Sequence, residues 1–302
     1  MLDLIKTVLI DIVSLLKMPL VSFRASKARS SFPISFRSEE ETVELIRDKG
    51  YSLARFGDGE FRWIKNEADI CMFQSPSREL STQLSSALNS NRNKLLIGIP
   101  KALFTDDEYK IKAKFFWREY LIKNKTWLKE FLPQITYSNA SITRPYLDYK
   151  KAVNATYRFN LVKSIWDERN VLIVEGAKTK FGVGNDLLSN ASSVSRILAP
   201  AENAFSNYEE IKNAIKNNAE RDTLILLCLG PTATILAADI ELEELQIVDI
   251  GHLDIEYEWF KAKARKKAPV KGKYVNEVSS KGDSDYNEDP LYNKSIISTV
   301  GL

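Results

Sequence analysis

Asp58 and Glu60 stand one residue apart in RFGDGEF, residues 55–61, with glycines on both sides of the aspartate. Carboxylate oxygens are hard donors, and two so close in sequence suit Mg²⁺ or Mn²⁺, bound directly or through water. The glycines permit a sharp turn and close approach of a ligand to the backbone. A turn with two solvated acids is the plain alternative, because Asp-Gly pairs favour turns. A second concentration of chemistry is DIGHLDIEYEWF, residues 249–260, where the sole histidine, His252, sits among Asp249, Asp254, Glu256 and Glu258. So many acids repel one another unless a metal ion or basic side chains neutralise them. On a helix after Gly251, Asp254 and Glu258 share a face at i, i+4 and Glu256 points elsewhere. The basic run KAKARKKAPVKGK, residues 261–273, follows directly and can neutralise acids or meet phosphate. A solvated helix face is the ordinary reading of most of its lysines.

Two glycine-rich stretches complete the set. VEGAKTKFGVGND, residues 174–186, joins Glu175 and Gly176 to Lys178, Asn185 and Asp186. It lacks the dinucleotide-binding G-x-G-x-x-G spacing, since Leu187 stands at the third glycine position, and it is no Walker loop. It still reads as a lysine-flanked turn able to hold phosphate on backbone N–H groups. LGPTATILAADI, residues 229–240, places Gly230, Pro231 and Thr232 where a strand passes into a helix whose positive end faces the strand ends.

These stretches follow apolar runs that read as strands: YSLARF, KLLIGIP, NVLIVEG, VSRILAP, DTLILLCLG and LQIVDIG. Solid apolar strands alternating with helical patterns predict an α/β fold, a mostly parallel sheet covered by helices on both faces. In such sheets ligands bind beyond the carboxyl ends of the strands. Ser38 and Glu41 form a capping box that opens a helix to about Lys49. Residues 106–131 and 208–220 also carry helical patterns. The first 43 residues and the tail after 277 read as peripheral to one domain at 44–277.

Residues 1–23 are apolar but broken by Asp3, Lys6, Asp11 and Lys17, too short a run to span a bilayer. Leu2, Ile5, Leu9, Ile12, Val13 and Leu16 recur at helical spacing. They predict an amphipathic helix that packs on the body, on a second copy in a homodimer, or on a membrane surface through Arg24, Lys27 and Arg29. No cleavage site marks a signal peptide. One histidine excludes zinc-finger and three-histidine zinc sites. The two cysteines, Cys71 and Cys228, form no disulfide framework, so a reducing cytosol is expected, with Cys228 buried. A net charge of +3 does not by itself imply nucleic acid, and the basic run has no interleaved aromatics for base stacking.

Together and in this order, RFGDGEF, TRPY at 143–146, VEG…FGVGNDL, RILAP…NAF, LGPTA and DIGHLDIEYEWF, with GKYVNE at 272–277, resemble the GT-D-type glycosyltransferases. The resemblance covers roughly residues 45–277. It departs at Thr179-Lys180, where the family usually has Ser-Arg, and lysine gives up bidentate geometry. It implies a Rossmann-like fold and metal-dependent transfer of a sugar from a nucleotide sugar, a UDP-hexose such as UDP-glucose. Asp58 and Glu60 carry over as ligands to Mn²⁺ or Mg²⁺, with His252 as the third candidate. Arg55, Phe56, Gly57, Glu175, Lys178, Asn185, Asp186, Gly230 and Thr232 are the expected nucleotide contacts. Glu258, then Glu256 and Asp254, are the candidates for the base that activates an acceptor hydroxyl. The acceptor is a glycan, a lipid-linked glycan or a glycoprotein, met in the cytoplasm or on the inner face of the membrane. A phosphate-ester hydrolase or another nucleotide-binding α/β enzyme is the alternative.

Overall fold

The computed structural model describes residues 2–67, 73–150, 154–275, 278 and 289–302, with side chains from residue 16 onward. The six apolar runs form β2 (Ser52–Arg55), β3 (Leu95–Ile99), β5 (Asn170–Gly176), β6 (Ser193–Ala199), β7 (Leu224–Cys228) and β8 (Gln246–Asp249). Three strands come from segments without such a pattern: β1 (Ser35–Phe36), β4 (Thr136–Asn139) and β9 (Ile296–Thr299). Among the described residues the nine strands make one sheet, ordered β1-β4-β3-β2-β8-β7-β5-β6-β9, and every pairing is parallel.

Alternate residues of the central strands feed separate cores on the two faces, which is why these strands read as unbroken apolar runs. Leu172 and Val174 of β5, Ile225 and Leu227 of β7 and Ile247 of β8 belong to one core. The helices α3 (Asp58–Ile64), α4 (Arg78–Leu88), α5 (Ile111–Phe131), α7 (Tyr208–Asn218) and α8 (Pro231–Ala238) contribute Phe61, Leu84, Leu121, Ile211 and Leu236 to it. Val171, Ile173, Leu224, Leu226 and Val248 belong to the other core. There α2 (Glu39–Lys49), α6 (Ala155–Lys163) and α9 (Leu253–Lys261) add Ile46, Phe159 and Trp259. The Ser38 cap is in place: its hydroxyl accepts from Glu41 N at 3.0 Å, and Gly50 ends α2 in the left-handed conformation.

The peripheries are drawn tighter than the sequence suggested. β1, in the expected linker, pairs with β4, and β9, in the expected tail, pairs with β6 at the opposite edge. The N-terminal helix α1 spans Leu2–Arg29 and so takes in Arg24, Lys27 and Arg29. Arg29 donates to Ala102 O, Leu103 O and Asp106, and Arg118 of α5 makes a two-pronged bond to the same buried aspartate. The basic segment after α9 is not helical. Among the described residues no helix is long and apolar enough to cross a membrane. Cys71 and the last two residues of GKYVNE lie outside the described residues.

Candidate active site

The four chemistry-bearing strand ends belong to β2, β8, β7 and β5, which are neighbours at the centre of the sheet. Their carboxyl ends open along one edge. RFGDGEF leaves β2 beside the Gly251-His252 turn that leaves β8. Arg55 joins the two: its Nε and Nη2 donate to Asp249 O and Oδ1, both at 2.8 Å, and its Nη1 to Ala140 O at 3.2 Å. Thr234 of α8 donates to Arg55 O at 2.9 Å and lies 3.4 Å from Asp249 Oδ2. Gly251 holds φ at +50°, and a Cβ there would come within 1.9 Å of Arg55 Nη2. Arg55, expected beside the nucleotide, is therefore a brace whose guanidinium is spent on the fold. The Phe56 side chain is likewise buried in the core, against Phe61. Its backbone N–H is also taken, donating to Gly98 O at 2.8 Å.

Asp58 and Glu60 form the first turn of α3. Glu60 Oε2 accepts from Gly57 N at 2.7 Å, and Asp58 Oδ2 lies 3.3 Å from Arg62 Nη2, one turn on. Burial pushes the Glu60 carboxyl up to about 7, with Asp249 adding to the rise. Cys228, at the end of β7, is half-buried rather than fully buried. Its thiol is held far above its ordinary range by burial first and then by Glu175, Asp249 and Asp254. It stays protonated. Each of those three acids has its own cation: Arg196 for Glu175, Arg55 for Asp249 and Lys273 for Asp254.

On α9 the expected division of faces holds. Asp254 and Glu258 share Asn185 Nδ2, at 2.8 and 2.6 Å, and Lys273 Nζ, at 2.7 and 3.1 Å. Glu256 points elsewhere and accepts from Tyr146 N and Leu147 N at 3.2 and 3.0 Å, which fixes the loop after TRPY. Asp254 and Glu256 are fully enclosed, and burial raises both carboxyls. Glu258 keeps 24% of its side chain exposed. His252 stands at the N-terminal cap of α9.

Glu175 was expected at the nucleotide but is wholly buried. It accepts from Arg196 Nη1 at 2.5 Å and from Phe181 N at 2.7 Å, pinning the start of the glycine-rich loop. Asp254 Oδ1 holds the same loop through Gly182 N at 3.0 Å. Lys178 is exposed, whereas Asp186 accepts from Tyr257 Oη at 2.9 Å and pairs with Lys261. The Tyr257 bond, followed by Lys261, lowers the Asp186 carboxyl. Gly230 takes φ +55° beneath the Phe73 ring, and Pro231 opens α8. The buried Thr232 hydroxyl has no hydrogen-bond partner among the described residues.

Sequence reasoning missed Arg196, Lys273 and Thr234 as the partners of these groups. Arg196 and Lys273 lie within RILAP and GKYVNE, so the motifs contained them without revealing what they bind.

Among the described residues no three His, Cys, Asp or Glu side chains form a cluster that could hold a metal ion. Asp58, Glu60 and His252 are thus not a ready-made ligand set. The chemistry still suits a divalent cation. Glu60 is an acid made weak by burial beside Asp249, and a cation restores charge to such a group. Mg²⁺ characteristically takes one or two carboxylates and completes its shell with substrate phosphates and water.

A parallel sheet with acids and helix N-termini gathered at its central carboxyl edge is the arrangement in which α/β enzymes hold their ligands. The comparisons name the family. Residues 53–278 match the model of the glycosyltransferase GT-D fold, and the chain belongs to that family. It is 34% identical over 268 residues to the probable glycosyl transferase Gly of Streptococcus gordonii. It is 32% identical, again over 268 residues, to glycosyltransferase GlyD of Streptococcus pneumoniae. Both matches cover 88% of this chain but only 39% and 33% of the relatives, which are much longer. A solved DUF1792 glycosyltransferase from Streptococcus sanguinis superposes with a TM-score of 0.81 at 32% identity, covering 88% of this chain and 99% of that one. A solved DUF1792 domain described as having a distinct glycosyltransferase fold gives 0.84 at 30% identity, covering 93% and 100%.

Proposed function

We propose that the edge formed by β2, β8, β7 and β5 transfers a hexosyl group from a UDP-sugar to a hydroxyl of a glycan, a lipid-linked glycan or a glycoprotein, with Mn²⁺ or Mg²⁺ as cofactor. The observation that carries this reading is the adjacency of those four strand ends, which sets Asp58 and Glu60, the N-terminus of α8 and the acids of α9 along one line. When bound at Asp58 and Glu60, the cation would supply Lewis acidity to the departing diphosphate.

The chain's own residues do the rest. The N-terminal end of α8 and the unpartnered Thr232 hydroxyl receive phosphate oxygens as negative charge grows on the leaving group. Asp254 and Glu256 are enclosed and occupied by internal donors, so Glu258 is the base. Both of its bonds use Oε1, and Oε2 takes the acceptor's proton. Asn185 and Lys273 position that carboxylate rather than touch the reacting atoms.

The test is a screen of UDP-hexoses with and without Mn²⁺, followed by acceptor labelling. The correct donor should raise the melting temperature by roughly 5 °C at a hundredfold excess over Kd, only with metal present. Asp58→Asn should abolish that rise. Sugar must appear on an acceptor. Release of free hexose alone, unchanged by added acceptors, would assign the site to hydrolysis instead.

A further inference from the structure

From Leu16 to Arg29 the helix α1 has two unlike faces. Val21, Ala25 and Ala28 are buried, and Met18 and Ser22 meet Arg118 of α5. The opposite face presents Leu16, Leu20 and Phe23, which are 77%, 61% and 71% exposed. Intervals of four and three place them on one stripe. In sequence the same spacing runs back through Ile12, Leu9, Ile5 and Leu2. Lys17, Arg24 and Lys27, all exposed, lie along and beside this stripe. Arg29 is not among them, because it is turned inward to Asp106. No Asp or Glu occurs between residues 12 and 38.

We infer that this face of α1 docks on an anionic lipid bilayer, with the helix lying in the plane of the interface. Leu16, Leu20 and Phe23 enter the boundary between headgroups and acyl chains, and the three cations meet lipid phosphates. A second copy of the chain fits this face poorly. A two-fold contact uses the same patch on both partners. It would bring three cations against three cations with no acid of this segment between them. The inference is independent of the reaction proposed above.

The test uses the full chain in co-sedimentation with phosphatidylglycerol–phosphatidylethanolamine vesicles and with phosphatidylcholine vesicles. Binding is expected to the anionic vesicles alone and to weaken in high salt. Neutralising Lys17, Arg24 and Lys27 to Gln should weaken it by about fivefold each, on the order of a hundredfold together. The variant Leu16→Gln, Leu20→Gln, Phe23→Gln should lose it altogether while keeping its melting temperature and its mass by light scattering. Should that variant fail to fold, Phe23→Gln alone is read in the same way. The inference is overturned by failure of the native chain to sediment, by equal binding to phosphatidylcholine, or by variants that bind as the native chain does. A native dimer that the apolar variant converts to a monomer would also overturn it, since a second copy would then cover the stripe.

Discussion

Replacing Arg196 with methionine would strand a carboxylate inside the sheet. Arg196 and Glu175 are 6% and 0% exposed in their side chains and 2.5 Å apart. The arginine also donates to Phe181 O at 2.9 Å and to Ser295 Oγ at 3.1 Å. After the change, Glu175 keeps the Phe181 N–H as its one hydrogen-bond donor among the described residues. Breaking a buried pair from one side costs about 3–5 kcal/mol. Methionine replaces much of the arginine stem's packing, so the loss is chiefly electrostatic. Adding Glu175→Gln removes the stranded charge, and the double variant should recover about half of the deficit. Burial already raises the Glu175 carboxyl, and removal of Arg196 raises it further. A carboxyl raised in the folded state binds a proton that the unfolded chain releases, so its effect weakens the fold as pH rises. The deficit should accordingly be greatest at pH 7–8 and shrink towards pH 4.5. Urea unfolding of the native chain and the two variants across that range measures it. A deficit below about 1 kcal/mol, or one that does not change with pH, would refute the view that Glu175 is a charged group dependent on Arg196.

Three further outcomes are expected. Glu258→Gln should lower kcat by about 10²- to 10⁴-fold while leaving UDP-sugar binding intact, as read by turnover and calorimetry; equal turnover would remove Glu258 as the base. Gly251→Ala should destabilise by about 2–4 kcal/mol, because the new Cβ meets Arg55 at a left-handed φ. Arg55→Ala in that background should add little, a non-additivity that a double-mutant cycle detects. Glu60, raised to about 7, contributes stability that is fully present below the ordinary carboxylate range and lost as pH climbs through 7. In metal-free buffer Glu60→Gln should therefore be more stable than the native chain at pH 8, by about 1–3 kcal/mol, and should lose that advantage at pH 4.5, as followed by thermal melts.

The central strands were legible because burial on both faces fills their middles with apolar residues and leaves polar ones mainly towards their ends. β4, reading Thr-Tyr-Ser-Asn, and the two edge strands carry no such mark, and they exist only because a neighbour offers unpaired backbone. The acids of the site were legible by type and the helical pairing of Asp254 with Glu258 by spacing. What remained hidden was direction. Arg55 beside two carboxylates reads as a ligand for phosphate, but Gly251 clears a space in which it turns inward to Asp249. Lys273 lies in a run of basic residues that reads as a solvated surface, and only the return of the chain to α9 shows that it is buried between Asp254 and Glu258.

The strand β9 has a consequence for where this domain can be cut. The family match stops at residue 278, short of Ile296–Thr299. A polypeptide trimmed to that limit would lose Ser295 and Tyr292 from around the Arg196 guanidinium. It would also leave the outer rim of β6 without a neighbour, an open template for strands of other molecules. Recombinant versions ending at the homology boundary should self-associate and precipitate, while those carried through Leu302 stay dispersed.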